Sequence, residues 1–218
     1  MRRAPKLELL PLLGALADPS VDDTTDRILD AAASVLASRG LRRCTVEEIA
    51  ERGQIGRTTI YRRFDGRDEI VHAVLARELR SFFDTVARSV GHLDRIEDQV
   101  VEGFLTALDA ARESPMLPLL RSEPDLLMFL VTDAGPVLEL VTGLMMHQLR
   151  NVASASEIDI DTQRARHGAE IVFRLAVSFV LMPETTLPLD DPAAARDLLH
   201  GFFDPILRGV TLDNGASR

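Results

Sequence analysis

Residues 57–67 read Arg57-Thr58-Thr59-Ile60-Tyr61-Arg62-Arg63-Phe64-Asp65-Gly66-Arg67. Two hydroxyls, a phenol and four guanidiniums in so short a run are hydrogen-bonding groups suited to recognition. If Ile60 and Phe64, one helical turn apart, face a core, then at about 100 degrees per residue Thr58 and Arg62 point most directly outward. Thr59 lies beside them, and Tyr61 and Arg63 sit on the flanks. Such a face suits double-stranded nucleic acid: Arg reads guanine with two bonds or holds phosphate, Thr bonds base edges or touches a thymine methyl, and Tyr donates to phosphate. Arg57 and Arg67 add charge at the two ends, with Asp65 and Asp68 close by.

A face of this kind works only if neighbouring helices hold it still. Thr45-Val46-Glu47-Glu48 predicts a capping box in which Thr45 satisfies the amide of Glu48 while Glu48 reaches back, with Val46, Ile49 and Ala50 turned inward. A turn follows at Arg52-Gly53-Gln54-Ile55-Gly56, then a short helix from Arg57 to Phe64 that Asp65-Gly66 ends. Upstream, a helix capped by Thr24 or Thr25 carries Ile28, Leu29, Ala32, Val35 and Leu36 on one face and stops at Gly40. Together these three helices have the form of a helix-turn-helix domain.

Downstream, a longer periodic segment runs from about Arg67 through Ile70, Val74, Leu79, Phe82 and Val86 and reads as a connector helix. Further helices are expected at about 94–113, 115–121, 124–132, 136–153, 161–182 and 192–208. Pro115, Pro124, Pro136 and Pro192 fall at or near first turns, and Pro183 ends the long helix before it. No segment reads as a strand and no solenoid repeat is visible, so the expected class is all-α. The expected organisation is an N-terminal arm over 1–22, a three-helix domain over 23–66, a larger helical domain over 67–210 and a tail over 211–218.

The strings Thr45-Val46-Glu47-Glu48-Ile49-Ala50-Glu51-Arg52 and Thr59-Ile60-Tyr61-Arg62-Arg63-Phe64 closely resemble the DNA-binding domain of the TetR family of repressors. The resemblance covers Thr24 to about Leu79. It departs from the family pattern in the turn, where Gly53 comes one position early and Gln54 stands in its place, and at Gly56, where a Ser or Thr usually caps the recognition helix. Arg63 replaces the customary His, and Arg67 the customary Lys. The resemblance implies that Tyr61 and Arg63 grip the phosphate backbone while Arg57, Thr58, Thr59 and Arg62 meet base edges. With Thr45 and Arg67, these residues form the candidate DNA-contact set.

The overall charge of -9 on 218 residues argues against nucleic acid if taken as an average. Its distribution does not. Residues 24–80 carry 11 Arg against 9 Asp or Glu, whereas residues 81–218 carry 11 Arg against 21. A basic head on an acidic body keeps DNA away from every surface but one. Cys44 is the only cysteine, which excludes an intrachain disulfide and a cysteine zinc site and suits a reducing compartment. Met1-Arg2-Arg3 and the apolar stretch Leu7 to Ala17 imitate a signal peptide, but Glu8 and Pro11 interrupt the stretch, so the expected location is cytoplasmic with no membrane partner. The five histidines are scattered without metal spacing, and no Gly-rich phosphate loop, G-x-S-x-G or H-E-x-x-H occurs, so neither an enzyme nor a cofactor or metal is expected.

In the resembled family the remaining helices build an effector pocket and a dimer interface. Candidates for the pocket are Leu117, Arg121, Phe129, Leu144, Met145, His147 and Gln148, from a stretch rich in Leu, Met and Phe. Candidates for the interface are Ala165, Ala169, Val172 and Phe179 on one helix and Leu198, Leu199, Phe202 and Ile206 on the next. Periodicity serves an internal core equally well. The expected partners are operator DNA, a second copy of the chain and a small molecule of unknown identity. The expected function is a repressor that a hydrophobic effector releases from DNA, the alternative being a DNA-bound structural or cell-cycle factor of the same fold with no effector.

Overall fold

The computed structural model describes residues 22–114, 117–118, 135–155 and 159–210. These fall into two compact units, one built on residues 22–83, to which 113, 114, 117 and 118 also belong, and one on residues 84–112 and 135–210. The expected helices at 115–121 and 124–132 lie almost wholly outside the described residues, as do nearly all of the arm and the tail. All the described elements are helical, and the chain is all-α.

In the first unit, α1 (Asp23–Arg39) starts two or three residues earlier than the threonines suggest. Asp22 is its N-cap, and the carboxylate accepts from the Thr25 amide at 2.8 Å. Ile28, Leu29, Ala31, Ala32, Val35 and Leu36 are buried, and Gly40 closes the helix at φ 75°. A 3-10 turn, Leu41–Arg43, leads to α2 (Val46–Gly53), whose N-cap Thr45 takes the Glu48 amide at 3.3 Å. The reciprocal half of the expected box is replaced: Glu48 accepts from Arg39 at 2.7 Å, so its carboxylate ties α2 to α1. Then come α3 (Arg57–Tyr61) and α4 (Arg67–Val90). Ile28, Val35, Ile49, Ile60, Ile70, Val71 and Val74 join all four helices in one core.

The second unit holds the end of α4, then α5 (Ile96–Glu113), α6 (Gly135–Ala155), α7 (Thr162–Leu181) and α8 (Pro192–Arg208). Asp161 and Asp191 each cap the following helix by accepting two backbone amides, and Pro192 opens α8 where its missing N–H costs nothing. Phe104 of α5 sits edge-on to Phe179 of α7 at 6.1 Å and to Phe203 of α8 at 5.4 Å. Val101, Leu108, Val172, Ala195, Leu199 and Leu207 complete that core. Met146 of α6 packs with Ala165 and Val210 in a smaller cluster beside it.

Candidate nucleic-acid interface

The turn between α2 and α3 is built by two residues with separate duties. Gly53 ends α2 where a Cβ would stand 3.0 Å from the Ala31 methyl and 2.9 Å from Ile55 Cδ1, so glycine lets α2 press against α1. Gln54 then adopts the left-handed conformation, φ 50° and ψ 44°, and its amide donates to the carbonyls of Ala50 and Glu51. The displaced glycine therefore supplies room, and a glutamine makes the turn that a glycine would make more easily. Arg27 of α1 donates to the Gly53 carbonyl at 3.3 Å, a further tie across the turn.

Beyond the turn, α3 is short. Its regular part ends at Tyr61, because the Arg63 amide bonds back to Ile60 at 2.9 Å in a tighter turn. Arg62 still has helical angles, φ -74° and ψ -20°, so the outward directions expected of a helix reaching Phe64 persist through it. Ile60 is fully buried and Phe64 nearly so, which fixes the inner side. Arg57, Thr58, Tyr61 and Arg62 are exposed, and Thr59 is half-buried at the edge. None of the four exposed side chains has a hydrogen bond or ion pair to another described residue. The array is thus free to meet a partner, with donors matched to base edges and phosphate oxygens.

The two remaining arginines of the segment are engaged within the domain. Arg63 Nη2 donates to Asp22 Oδ2 at 2.7 Å, and its Nε faces Asp22 Oδ1 at 3.3 Å and Thr25 Oγ1 at 3.2 Å. The Arg63 guanidinium, aided by the Thr25 amide and hydroxyl, holds the Asp22 carboxyl well below the usual carboxylate range. Arg67 Nη2 donates to the Leu41 carbonyl of the 3-10 turn. Thr45 is half-buried, with its hydroxyl committed to the helix cap. That Asp22 and Thr25 orient Arg63 escaped the sequence reading, because they lie about 40 positions away. Arg42 and Arg43 of the 3-10 turn are also exposed in this unit and were not singled out.

In the second unit the candidate interface residues separate. Ala165, Ala169, Val172 and Leu199 are buried within the chain, and Phe179 packs against Phe104. Leu198 is half-buried, whereas Phe202 and Ile206 are exposed, at 64% and 37%. Ile171 and Leu175 of α7 and Met182 at its C-cap are exposed large apolar residues, and of these Ile171 and Met182 were passed over in the sequence reading. Ile206 lies 3.6 Å from where a Gly168 Cβ would stand, so α7 and α8 run side by side.

The pocket candidates are divided among the two units and the residues outside those described. Arg121 and Phe129 lie outside the described residues. Leu117 is buried in the first unit. Leu144 and His147 are exposed on α6, with His147 3.4 Å from Asn151, while Gln148 is half-buried. Of that set on α6, Met145 packs against the apolar core.

An all-helical chain with a donor-rich helix on a helix-turn-helix defines a DNA-binding regulator. Residues 28–74 match the model of the bacterial regulatory proteins of the tetR family, and residues 96–200 match a C-terminal domain of the bacterial tetracycline repressor type. The chain belongs to the TetR family of transcriptional regulators, which are not enzymes. It is 25% identical over 177 residues to the HTH-type transcriptional regulator AlkX of Mycobacterium tuberculosis, covering 79% of this chain and 80% of that one. It is 29% identical over 109 residues to the repressor KstR2 of Rhodococcus jostii, covering 45% and 53% of the two chains. The crystal structure of the TetR family repressor AlkX from Dietzia superposes with a TM-score of 0.59 at 26% identity, covering 85% of this chain and 98% of that one. Among the described residues no helix is long and apolar enough to cross a membrane.

Proposed function

We propose that this chain is a cytoplasmic repressor that binds operator DNA as a homodimer, inserting α3 in the major groove, and leaves it when a small hydrophobic molecule enters the C-terminal unit. The observation that carries the reading is the outer face of α3. Arg57, Thr58, Tyr61 and Arg62 stand free above a fully buried Ile60, on a domain with one packed core. In the proposal Tyr61 holds phosphate, Arg57, Thr58 and Arg62 meet base edges, and Thr59 borders them. Repression, in place of activation, is supported by the names of KstR2 and of the Dietzia AlkX, both repressors.

The second copy is proposed to cover the apolar face that α7 and α8 share, where Ile171, Leu175, Met182, Phe202 and Ile206 lie exposed. Two such helices from each chain make a four-helix bundle. The interface thus uses the outer stripe of both helices, while Val172 and Leu199 serve the core.

An apolar effector is supported by two points: the inward-facing Met145, Met146 and Leu149 of α6, and the Dietzia AlkX, whose reported setting is n-alkane biodegradation. The helix α4 is continuous from Arg67 to Val90 and belongs to both units, which gives release its mechanical link. An effector shifts DNA affinity only by its own preference between two conformations, typically about 1–3 kcal/mol, or roughly 5- to 150-fold.

The test is selection from a random-sequence DNA pool by the purified full chain. The expected product is an inverted repeat whose half-sites are about one helical turn, roughly 34–36 Å, or somewhat more apart. Recovery of no enriched sequence, or of a single unrepeated site, refutes the proposal.

A further inference from the structure

The geometry points to Arg63 as a positioning residue, which fixes the outer end of α3 on α1 and makes no phosphate contact of its own. This rests on the DNA-binding reading above and assigns a division of labour within it: Arg62 and Tyr61 contact, and Arg63 braces.

The need for a brace comes from the length of α3. Five residues cannot hold a helix by themselves, since nucleation is unfavourable and short helices draw their stability from tertiary packing. At its start, Gly56 provides no side-chain cap. Its inner side is held by Ile60 alone, with Phe64 just past the end. Arg63 lies one residue beyond Arg62 and two beyond Tyr61, at the place where a fixed side chain sets the direction of both.

The edge of Arg63 formed by Nε and Nη2 is already filled. A guanidinium binds a carboxylate and a phosphate through the same bidentate geometry. Here Nε and Nη2 meet the two oxygens of Asp22, and Nε also meets the Thr25 hydroxyl. The Asp22 carboxylate takes the edge that a phosphate would otherwise use. It cannot leave without cost, because the same oxygen that faces Nε caps α1 through the Thr25 amide at 2.8 Å. Exchange of Asp22 for a DNA phosphate would release α1's cap and leave a free carboxylate facing the backbone of the DNA. The Arg63 side chain is also the more buried partner, 21% exposed against 60% for Asp22.

The two roles predict opposite outcomes for one substitution. Asp22→Asn removes a negative charge close to the proposed DNA surface. If Arg63 is a phosphate contact restrained by Asp22, the variant binds DNA more tightly and with a steeper salt dependence. If Arg63 is a brace, the variant binds more weakly even though electrostatics alone favours it.

The experiment measures fluorescence anisotropy of the duplex that the wild-type chain enriches from a random pool, over a series of salt concentrations, well below the melting temperature of each variant. The variants are Asp22→Asn, Arg63→Gln and the double substitution. The expected result is a loss of roughly fivefold or more in affinity for each. The slope of log K against log salt should change by less than about 1.8, the share of two released phosphate contacts, one in each subunit. Melting temperatures should show the double variant no less stable than the worse single one, because the pair acts as a unit.

Tighter binding by Asp22→Asn overturns the inference, as does a slope lowered by about 1.8 or more in Arg63→Gln. Lowered melting temperatures with unchanged affinity overturn it as well, because the pair then serves stability and not presentation. A wild-type chain that enriches no sequence refutes the DNA reading itself, and the positioning role with it. That failure is distinct from the others, since it is seen before any variant is made.

Discussion

Gly53 and Gln54 are adjacent, and the structure assigns opposite signs to substitutions at the two. In Gly53→Ala the new methyl would stand 3.0 Å from the Ala31 Cβ and 2.9 Å from Ile55 Cδ1, against ordinary contacts of 3.4–4 Å. Ile55 can turn its terminal methyl aside. Ala31 has no torsion to yield, so α1 and α2 must part by several tenths of an ångström. Overpacking of this kind costs about 1–3 kcal/mol, while exchanging glycine for alanine in a helix returns roughly 0.5–1 kcal/mol. At mid-range the net loss is about 1 kcal/mol. At Gln54 the left-handed conformation costs a side chain about 1–2 kcal/mol. Glycine relieves it and gives back roughly 0.5–1 kcal/mol through the greater freedom of the unfolded chain. Gln54→Gly is thus expected to stabilise by about 0.5–1 kcal/mol, with its capping amide retained. For a chain of this size each kcal/mol moves the melting temperature by about 2–4 °C. Thermal unfolding followed by circular dichroism should show Gly53→Ala melting lower by roughly 2–4 °C and Gln54→Gly melting higher by roughly 1–4 °C. A neutral Gly53→Ala, or a destabilised Gln54→Gly, refutes the division of the turn into one residue for room and one for conformation.

Three further expectations follow from single features. Phe202 is 64% exposed and belongs to no core, so Phe202→Glu should stay folded yet sediment as a monomer, while Leu199→Glu should unfold; a dimeric Phe202→Glu would place the interface elsewhere. Burial pushes the Cys44 thiol up to about 11, so it should react with a maleimide only at the rate of unfolding, and rapid labelling of the native chain would contradict its placement. Glu102 receives the Arg196 guanidinium, which holds its carboxyl below the ordinary value of 4.5. A lowered folded-state value stabilises the fold above the ordinary value and is lost as pH falls through the lowered one. The stability gap between wild type and Arg196→Gln should therefore narrow as pH drops below 4.5, and a gap that widens on acidification would refute the pairing.

The parts of this fold that sequence exposes are those governed by neighbours along the chain. Gly40, Thr45, Pro183 and Pro192 mark helix ends because caps and breaks are local, and Ile60 with Phe64 marks the inner side of α3 because a turn separates them. What sequence conceals depends on distant partners. Arg63 has the composition of a phosphate contact, and only folding brings Asp22 and Thr25 to it. Glu48 has the position of a capping-box carboxylate, and Arg39 from the preceding helix claims it. The faces of α7 are concealed for a different reason: Ala165, Ala169 and Val172 form one apolar stripe and Ile171 and Leu175 another. Periodicity finds both stripes but does not say which one faces inward; the smaller residues proved to be inside.

The central claim is that the outer face of α3 reads DNA, and it is tested most directly by titrating the enriched duplex with wild type, Tyr61→Ala and Arg62→Ala at one salt concentration. Both side chains are exposed and outside the core, so both variants should keep the wild-type melting temperature. Each lost contact should cost roughly 1–3 kcal/mol per half-site, which in a dimer weakens binding by at least about 30-fold. Affinities equal to wild type for both variants would contradict the account, because the only exposed tyrosine and its neighbouring arginine would then play no part in recognition.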